Sequence, residues 1–371
     1  MKQQSDNLFM KKALQLAEKG AGFVSPNPLV GCIIVNKDGK IIGKGYHQKY
    51  GEAHAEVNAV QSVKDKSELE GATVYVSLEP CSHFGKTPPC ADLLTSLPIK
   101  RVVIALKDPN PLVSGRGIQK LQDAGIEVVT GVCEREARLQ NEFFLHYIKT
   151  GKPFICLKIA QTIDGFSTAE DGSSQWITGK PARILVHEWR AKYDAVLVGR
   201  NTALQDNPSL TVRHVKGRNP FRIVLDGPGN LPKNLRLFND QFEEKTIHVL
   251  GIPNFVDDVS KMLATLSGEE FRGKTVVAGL KNDHIDLEEA FIQLGKLGIA
   301  SILVEAGPNL ASALIREKLV DKLAYFIAPK LLGSGKRPVS DLGISSITQA
   351  LELKNCTWKK VGEDMLMMGD F

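Results

Sequence analysis

Apolar residues fall in short runs along the chain, and stretches with apolar residues at helical spacing separate these runs. After a first helical stretch, turns at residues 25–28 and 37–40 each lead into an apolar run, at 29–35 and 41–45. This pair predicts a β-hairpin. Helical and strand patterns then alternate, which is typical of an α/β sandwich. We predict further strands at 73–78, 101–106 and 126–130, and helices at 56–63, 91–97 and 117–124.

A helix-like stretch from Glu134 ends at Gly151-Lys152-Pro153, a combination that breaks regular structure. We therefore expect a domain boundary here, with one domain over residues 1–148 and a second over 149–371. The second domain shows the same alternation, and no repeat relates the two halves. Its predicted strands are 154–160, 195–198, 221–225, 246–250, 274–278 and 301–304, and its predicted helices are 181–190, 287–296 and 308–318.

The composition is that of an ordinary globular protein. The 371 residues are 43% hydrophobic and 24% charged, which excludes a disordered, collagen-like or coiled-coil chain. The net charge is +5, divided as +3 over residues 1–150 and +2 over the rest. Neither half has the excess of basic residues that a row of phosphates demands. We expect no nucleic-acid partner, whereas a small anionic substrate is compatible with this charge.

Membrane and secretory signals are missing from the sequence. No run approaches the ~18 consecutive apolar residues of a membrane span. The first twenty residues include Asp6 and Glu18 and lack the apolar core of a signal peptide. Six cysteines are too few for a disulfide scaffold, which favours a reducing compartment. We expect a cytoplasmic protein with no membrane partner.

The strongest chemical signal is His54-Ala55-Glu56 with two later cysteines, Cys81 and Cys90, each preceded by proline. One imidazole and two thiolates make three zinc ligands, and a catalytic zinc keeps its fourth position open for water. Glu56 stands two residues from His54 at the opening of a predicted helix. Its carboxylate is expected to take a proton from that water and to pass it to a leaving amine. The pattern predicts a zinc-dependent hydrolytic deaminase.

The spacing of the cysteines leaves alternatives open. The zinc-deaminase pattern has two residues between its cysteines, whereas eight separate Cys81 from Cys90. The intervening loop carries Lys86 and hydroxyl groups, which suit the polar tail of a substrate. In other interpretations these are core residues without a metal, or they hold a structural zinc with His47 or His83 as fourth ligand.

With these residues in view, the chain resembles the bifunctional deaminase/reductase family of riboflavin biosynthesis over almost its whole length. The resemblance implies an amino-terminal cytidine-deaminase-like, three-layer α/β/α domain. That domain would deaminate the pyrimidine C2 of 2,5-diamino-6-ribosylamino-4(3H)-pyrimidinone 5′-phosphate. Asn27, His47 and Lys86 fall where the family is thought to hold the ring and the phosphate, and a turn or surface residue is the alternative interpretation of each. The matching stretches are Asn27-Pro28-Leu29-Val30-Gly31, Gly45-Tyr46-His47, Gly51-Glu52-Ala53-His54-Ala55-Glu56, Glu79-Pro80-Cys81-Ser82-His83 through Cys90, and Asp108-Pro109-Asn110-Pro111.

In this family the carboxy-terminal half resembles dihydrofolate reductase in fold and reduces the ribosyl group to ribityl with NADPH. The matching stretches include Ser174-Gln175-Trp176-Ile177-Thr178, Asp206-Asn207-Pro208-Ser209-Leu210-Thr211-Val212-Arg213 and Val304-Glu305-Ala306-Gly307-Pro308. For the cofactor, the resemblance implies Ala160, Trp176, Thr202, Asp206, Gly307, Pro308 and Asn309. For the substrate, it implies Ser174, Arg190, Leu210, Arg213 and Glu305.

Reduction of a ribosylamine requires ring opening, a hydride at C1′ and a proton, so a positioned carboxylate or ammonium group is needed. Lys158, Asp206 and Glu305 stand at the ends of apolar strands and match family positions suspected of this role. A structural ion pair would look the same in sequence. Gly307 begins a strand-to-helix turn whose backbone amides suit a dinucleotide phosphate. No G-x-G-x-x-G motif follows a strand, so the sequence does not predict a Rossmann dinucleotide site.

Three further side chains have two interpretations each. Arg190 and Arg213 are either phosphate binders or solvated arginines. Trp176 either stacks on the nicotinamide or the substrate ring, or it fills the core.

We therefore expect a two-domain enzyme that uses Zn²⁺ and NADPH in two consecutive reactions on a small phosphorylated pyrimidine. The resemblance alone suggests a homo-oligomer. One rival is a nucleobase or tRNA deaminase with an accessory binding domain, which predicts a basic surface with interleaved aromatic residues. Another is a zinc-stabilised binding protein, in which Glu56 would be dispensable.

Overall fold

The computed structural model describes residues 2–82, 88–110, 114–252 and 271–371. The chain divides into two compact units, Met1–Gly151 and Lys152–Phe371. The expected boundary after residue 148 falls inside helix α6 (Glu142–Thr150), two residues before the helix ends. Gly151 closes that helix in a left-handed conformation (φ 69°), where glycine carries no steric penalty.

The first unit contains a five-stranded sheet in the order β2-β1-β3-β4-β5. The first two strands form the predicted antiparallel hairpin, and β3, β4 and β5 run parallel to one another. The strands are β1 (Gly31–Val35), β2 (Ile41–Tyr46), β3 (Thr73–Leu78), β4 (Arg101–Leu106) and β5 (Glu127–Thr130).

Helices cover both faces of this sheet, which makes three layers. Successive residues of a strand point to opposite faces, and β1 shows the result: Cys32 and Ile34 join one buried cluster, whereas Ile33 and Val35 join the other. The other helices of this unit are α1 (Lys2–Ala17), α2 (Ala55–Gln61), α3 (Cys90–Thr95), α4 (Arg116–Asp123) and α5 (Glu134–Gln140).

Gly45 sets how closely α2 packs on β2. A Cβ atom at this position would lie 2.3 Å from both the Ala55 carbonyl oxygen and the Ala59 backbone nitrogen. Any side chain would therefore push the helix away from the sheet. Because His54 and Glu56 stand at the start of α2, Gly45 also fixes their distance from the sheet.

The second unit contains a ten-stranded sheet in the order β11-β10-β9-β8-β7-β12-β6-β13-β15-β14. Seven neighbouring strands, from β10 to β13 in this order, are parallel, and antiparallel strands close both edges. The strands are β6 (Phe154–Thr162), β7 (Ala195–Gly199), β8 (Phe221–Asp226), β9 (Thr246–Ile252), β10 (Lys274–Lys281), β11 (His284–Ile285), β12 (Ser301–Val304), β13 (Lys322–Ala328), β14 (Lys354–Val361) and β15 (Asp364–Asp370).

The chain order changes direction between β7 and β12. From β7 the chain moves outward through β8, β9 and β10, then returns to insert β12 beside β7 and continues to β13 on the far side of β6. Crevices at such reversals, beyond the carboxyl ends of the strands, are where open α/β sheets bind ligands. The helices in the described part of this unit are α7 (Lys180–Lys192), α8 (Arg200–Asp206), α9 (Leu287–Lys296) and α10 (Pro308–Arg316).

The α/β architecture expected in both halves is confirmed, and so are the predicted elements, with end shifts of a few residues. Four strands and α8 lie outside the predictions. In the described part of the chain, no helix is long and apolar enough to cross a membrane.

Candidate active sites

Three elements of the first unit bring the predicted zinc ligands together. His54 immediately precedes α2, Cys81 follows β3 by three residues, and Cys90 is the first residue of α3. The two Sγ atoms lie 3.5 Å (Cys81) and 3.3 Å (Cys90) from the His54 Nδ1. Among the described residues, these three form the one group of histidine, cysteine or acidic side chains able to hold a metal ion.

The geometry of this triad fits zinc. Tetrahedral bonds of about 2.3 Å to sulfur and about 2.0 Å to nitrogen place ligand N and S atoms about 3.5 Å apart, which matches the observed separations. The Cys90 amide also donates a hydrogen bond to the Cys81 Sγ, at 3.2 Å. Hydrogen bonds from Cys90 and His54 lower the pKa of the Cys81 thiol to about 4. They thereby favour the thiolate, which is the form that binds metals.

Glu56 lies beside the triad and is buried (3% exposed). Burial, together with the charge on Cys81, raises the pKa of its carboxyl group to about 7. Glu56, His54 and Cys81 line the same cavity, of about 330 Å³. The triad therefore has an open side, and the carboxylate stands at that opening.

Asn27 and His47 line this cavity together and are hydrogen-bonded to each other. His47 Nδ1 lies 3.1 Å from the Ala53 carbonyl, so this nitrogen carries the proton, and Nε2 then accepts from the Asn27 amide at 3.3 Å. Burial lowers the pKa of His47, which favours the neutral ring. Because both ring nitrogens have protein partners, the interpretation of His47 as a fourth zinc ligand is wrong.

A second buried carboxylate, Glu79, organises the cavity wall. It accepts hydrogen bonds from four backbone amides, those of Asp108, Gly115, Gly117 and Ile118, at 3.1–3.3 Å. Asp108 itself lines the cavity. Glu79 has no role in the sequence-based predictions, and its position directly before Pro80-Cys81 is the one signal in the sequence. The expectations for Lys86 and for His83 as a zinc ligand concern residues outside the described part of the chain.

In the second unit, Glu305 and Arg190 form a bidentate ion pair. Arg190 Nε and Nη2 lie 2.6 and 2.9 Å from the two Glu305 oxygens, and Arg190 Nη1 donates to the Thr211 carbonyl. Burial alone would raise the pKa of Glu305, but the charge and hydrogen bonds of Arg190, with the charge of Lys158, lower it to about 2. Burial lowers the pKa of Lys158, against the attraction of Glu305. The sequence left open whether Glu305 forms a structural ion pair. In the structure Glu305 does form one, and its partner is Arg190.

The segment after α8 brings further expected residues close to this ion pair. Besides the Thr211 bond to Arg190, the Arg213 amide donates to His187 Nδ1 on α7 at 3.2 Å. Leu210 is buried, whereas Asp206 is exposed at the end of α8. The charge of Arg190 acts on Arg213, whose pKa is lowered first by burial.

The expected cofactor residues include a cluster at the reversal between β7 and β12. Gly307 immediately precedes α10, and a Cβ placed on it would stand 3.6 Å from the Thr202 hydroxyl on α8. The Gly307 backbone therefore lies close to that hydroxyl, and Pro308 and Asn309 begin α10 directly after Gly307. A helix start that presents amides next to a hydroxyl suits a dinucleotide phosphate.

Three more expected residues lie outside the fully buried core. Trp176 is 57% exposed, with the Arg183 guanidinium 4.5 Å from its ring centroid, so it does not fill the core. Ser174, in the same segment, is half-buried, as is Ala160 on β6.

Comparisons with known proteins give matches for both halves of the chain. Residues 3–106 match the model of the cytidine and deoxycytidylate deaminase zinc-binding region, and residues 153–367 match the RibD C-terminal domain. The riboflavin biosynthesis protein RibD of Actinobacillus pleuropneumoniae is 42% identical over 99% of this chain and 95% of its own length. The Escherichia coli RibD is 40% identical over 98% of both chains. The chain belongs to the RibD family.

Solved RibD structures share the whole architecture. The Acinetobacter baumannii RibD covers 99% of both chains with a TM-score of 0.86 and 36% identity. A deaminase/reductase from Thermotoga maritima covers 100% of this chain and 99% of its own with a TM-score of 0.85 and 38% identity. The cytidine-deaminase-like domain and the dihydrofolate-reductase-like domain are therefore both present.

Membership in the RibD family decides between the rival functions. The chain is a bifunctional deaminase and reductase of riboflavin biosynthesis, and its cofactors are Zn²⁺ and NADPH. A nucleobase or tRNA deaminase with an accessory domain is not favoured, because RibD relatives match the reductase half as well. A binding protein without turnover is excluded for the same reason.

Proposed function

We propose that residues 1–148 form the deaminase domain and residues 149–371 the reductase domain. The Thermotoga maritima protein is named as a diaminohydroxyphosphoribosylaminopyrimidine deaminase and 5-amino-6-(5-phosphoribosylamino)uracil reductase. This chain's substrate is then 2,5-diamino-6-ribosylamino-4(3H)-pyrimidinone 5′-phosphate. The observation that carries the proposal is the cavity of the first unit, where Glu56 lies beside His54 and Cys81 of the three-ligand group.

His54, Cys81 and Cys90 would hold the zinc ion, which supplies Lewis-acid activation of water when bound. Glu56 lies at the cavity beside these ligands and is the base that removes a proton from the attacking water. The same carboxyl group then delivers that proton to the leaving amino group. Ammonia and the pyrimidinedione are the products, so the atoms balance.

Asn27 and His47 hold the ring of the substrate. The hydrogen bond from the Asn27 amide to His47 Nε2 turns the Asn27 carbonyl oxygen away from His47. That oxygen is an acceptor for an N–H group of the pyrimidine. Lys86, in the loop between the two cysteines, binds the 5′-phosphate.

In the reductase domain, NADPH supplies the hydride for C1′ and leaves as NADP⁺. Opening the ribose ring forms a C1′=N imine, and in this step the glycosylamine nitrogen loses its proton while the ring oxygen gains one. Addition of the hydride at C1′ then requires one further proton at the imine nitrogen, which restores the amine. Lys158 and Asp206 are the candidates for these transfers. Arg190 keeps Glu305 ionised, and Glu305 accepts a hydrogen bond from the substrate. Ser174, Leu210 and Arg213 complete the substrate site.

The dinucleotide lies across the reversal between β7 and β12. Thr202 and the α10 start at Gly307, Pro308 and Asn309 bind its phosphates. Ala160, Trp176 and Asp206 contact the rest of the cofactor. The exposed ring of Trp176 is available for stacking.

We also propose a homo-oligomer in the cytoplasm. The outer strand β14 of the second unit is exposed along seven of its eight residues and carries Trp358 at 61% exposure. An exposed edge strand with a large apolar side chain is a surface that proteins normally cover. Light scattering on the full chain tests this, and a monomeric mass would contradict it.

The zinc site can be separated from the reductase by one substitution. We expect about one zinc per purified chain, and Cys90→Ser should remove both the zinc and ammonia release. NADPH oxidation with the deaminated substrate should persist. Cys356→Ser is the matched control, because Cys356 is an exposed cysteine of the second unit. Full zinc content and ammonia release in Cys90→Ser would contradict the proposed site.

A further inference from the structure

One buried acid of the second unit has no part in the proposed reaction. Asp226, the last residue of β8, is fully buried. Its oxygens accept hydrogen bonds from Arg200 Nη1 at 2.6 Å, the Leu231 amide at 2.9 Å and His248 Nε2 at 3.1 Å. Burial raises its pKa, but the bonds from His248, Leu231 and Arg200 outweigh burial and leave the pKa below the ordinary value. Asp226 therefore remains a carboxylate.

The position of Asp226 matters because it ends a strand beside the dinucleotide crevice. In many dinucleotide folds, an acid near this place accepts the 2′-hydroxyl of the adenosine ribose, and that contact selects NADH. Asp226 is unsuited to this contact, since three protein donors surround it and no part of it reaches the surface. Its negative charge instead forms an ion pair with Arg200.

Arg200 lies on the β7–β8 side of the crevice. It is the first residue of α8, two residues before Thr202, and α8 follows β7 directly. Lys158 on β6 and Glu305 after β12 place the reacting end of the cofactor on the other side of the crevice. A dinucleotide that crosses between Gly307 and Thr202 then has its adenosine toward β8, the strand that ends in Asp226.

The Arg200 side chain is exposed over 28% of its surface, although its partner is fully buried. Within the described residues, Asp226 is its one hydrogen-bond partner, through Nη1. The Nε and Nη2 donors remain for a ligand. A guanidinium group donates in a planar fork that matches phosphate oxygens, and anchoring by Asp226 reduces the entropy lost on binding.

We propose that Arg200, anchored by the buried carboxylate of Asp226, binds the 2′-phosphate of the dinucleotide and so makes the reductase domain select NADPH over NADH. This inference rests on the proposed position of the cofactor at Gly307 and Thr202. The ligand group it assigns is the phosphate monoester on the adenosine ribose.

Calorimetric titration of the full chain tests this without catalysis. Adenosine 2′,5′-bisphosphate and adenosine 5′-monophosphate differ only in the 2′-phosphate, and the wild-type chain should prefer the bisphosphate. Arg200→Gln should weaken bisphosphate binding by about ten- to a hundred-fold, the range for a hydrogen-bonded charged group. Binding of the monophosphate should be unchanged. Arg316→Gln is the control, because Arg316 is an exposed arginine at the far end of α10.

Arg200→Gln leaves Asp226 without its cation and so risks misfolding. The double variant Arg200→Gln with Asp226→Asn removes both charges, and its monophosphate affinity shows whether the crevice is intact. If the double variant preferred the bisphosphate over the monophosphate as strongly as the wild-type chain does, the inference would be overturned. If the wild-type chain bound neither nucleotide, the proposed cofactor position itself would be wrong, and the inference would fall with it.

Discussion

Two buried glutamates at one cavity have different surroundings and therefore different roles. Glu79 accepts hydrogen bonds from four backbone amides, and these bonds connect the cavity wall around Asp108 to α4. Glu56 faces the cavity beside the zinc ligands. A carboxylate saturated by fixed donors positions a loop, whereas one that faces the substrate is available to move protons.

Replacement of Glu56 tests its role as the proton carrier. We expect Glu56→Gln to lower the rate of ammonia release by at least about a hundred-fold, because amide groups do not exchange protons in this way. Zinc content should stay near one per chain, since the three ligands remain. NADPH oxidation with the deaminated substrate should also be unchanged.

Glu70→Gln is the matched control, because Glu70 is an exposed glutamate of the same unit. Ammonia release that survives in Glu56→Gln would contradict the proposed mechanism. Loss of zinc together with activity would show that Glu56 supports the metal site rather than the chemistry.

Sequence predicted the residues of the zinc site because each chemical type there is rare and the spacing is short. It did not predict the hydrogen bonds of Glu79, whose donors lie 29–39 residues away, before α4 and in its first turn. Local patterns carry no signal for a carboxylate that binds backbone amides at such a distance.

At the scale of elements, an ion pair between Arg190 on α7 and Glu305 after β12 joins a helix to the central sheet. The pKa of Glu305 is about 2 in the folded chain, compared with an ordinary value of 4.5. A lowered carboxyl pKa stabilises the fold above the ordinary value, and the stabilisation disappears as the pH falls toward the folded value. The second unit should therefore lose stability between about pH 4.5 and pH 2.

Removal of the Glu305 charge should flatten this dependence. Between pH 7 and pH 3, we expect Glu305→Gln to lose about 2 kcal/mol less unfolding free energy than the wild-type chain. Denaturant unfolding followed by tryptophan fluorescence measures this in the full chain, because Trp176, Trp189 and Trp358 all lie in the second unit. Glu317→Gln, at an exposed glutamate, should keep the wild-type dependence. Equal slopes in Glu305→Gln and wild type would contradict the assigned ion pair.

Apolar runs in the sequence predicted most of the elements. The observed ends of β3, β4 and β12 are the predicted ones. The hairpin of β14 and β15 could not be predicted in this way, because β14 is polar and exposed along nearly its whole length. Backbone pairing with β15 holds it in place. Helix α8, with seven residues and one fully buried side chain, is too short for its period to show.

At the scale of the whole molecule, each unit has its own sheet, its own core and its own candidate site. The metal ligands and Glu56 all belong to Met1–Gly151, and the Arg190–Glu305 pair and the Gly307–Thr202 crevice belong to Lys152–Phe371. The two reactions therefore require no shared catalytic side chain among the residues assigned. In the proposed order of the two reactions, the product of the first site is the substrate of the second.

The most direct test of this account follows both reactions in one assay. The purified chain, loaded with zinc and supplied with NADPH and the diaminopyrimidine ribosylamine phosphate, should release ammonia first. NADPH oxidation should follow until one NADPH has been consumed for each ammonia. Ammonia without NADPH oxidation would confine activity to the first unit, and NADPH oxidation without ammonia would contradict the proposed order of the two reactions.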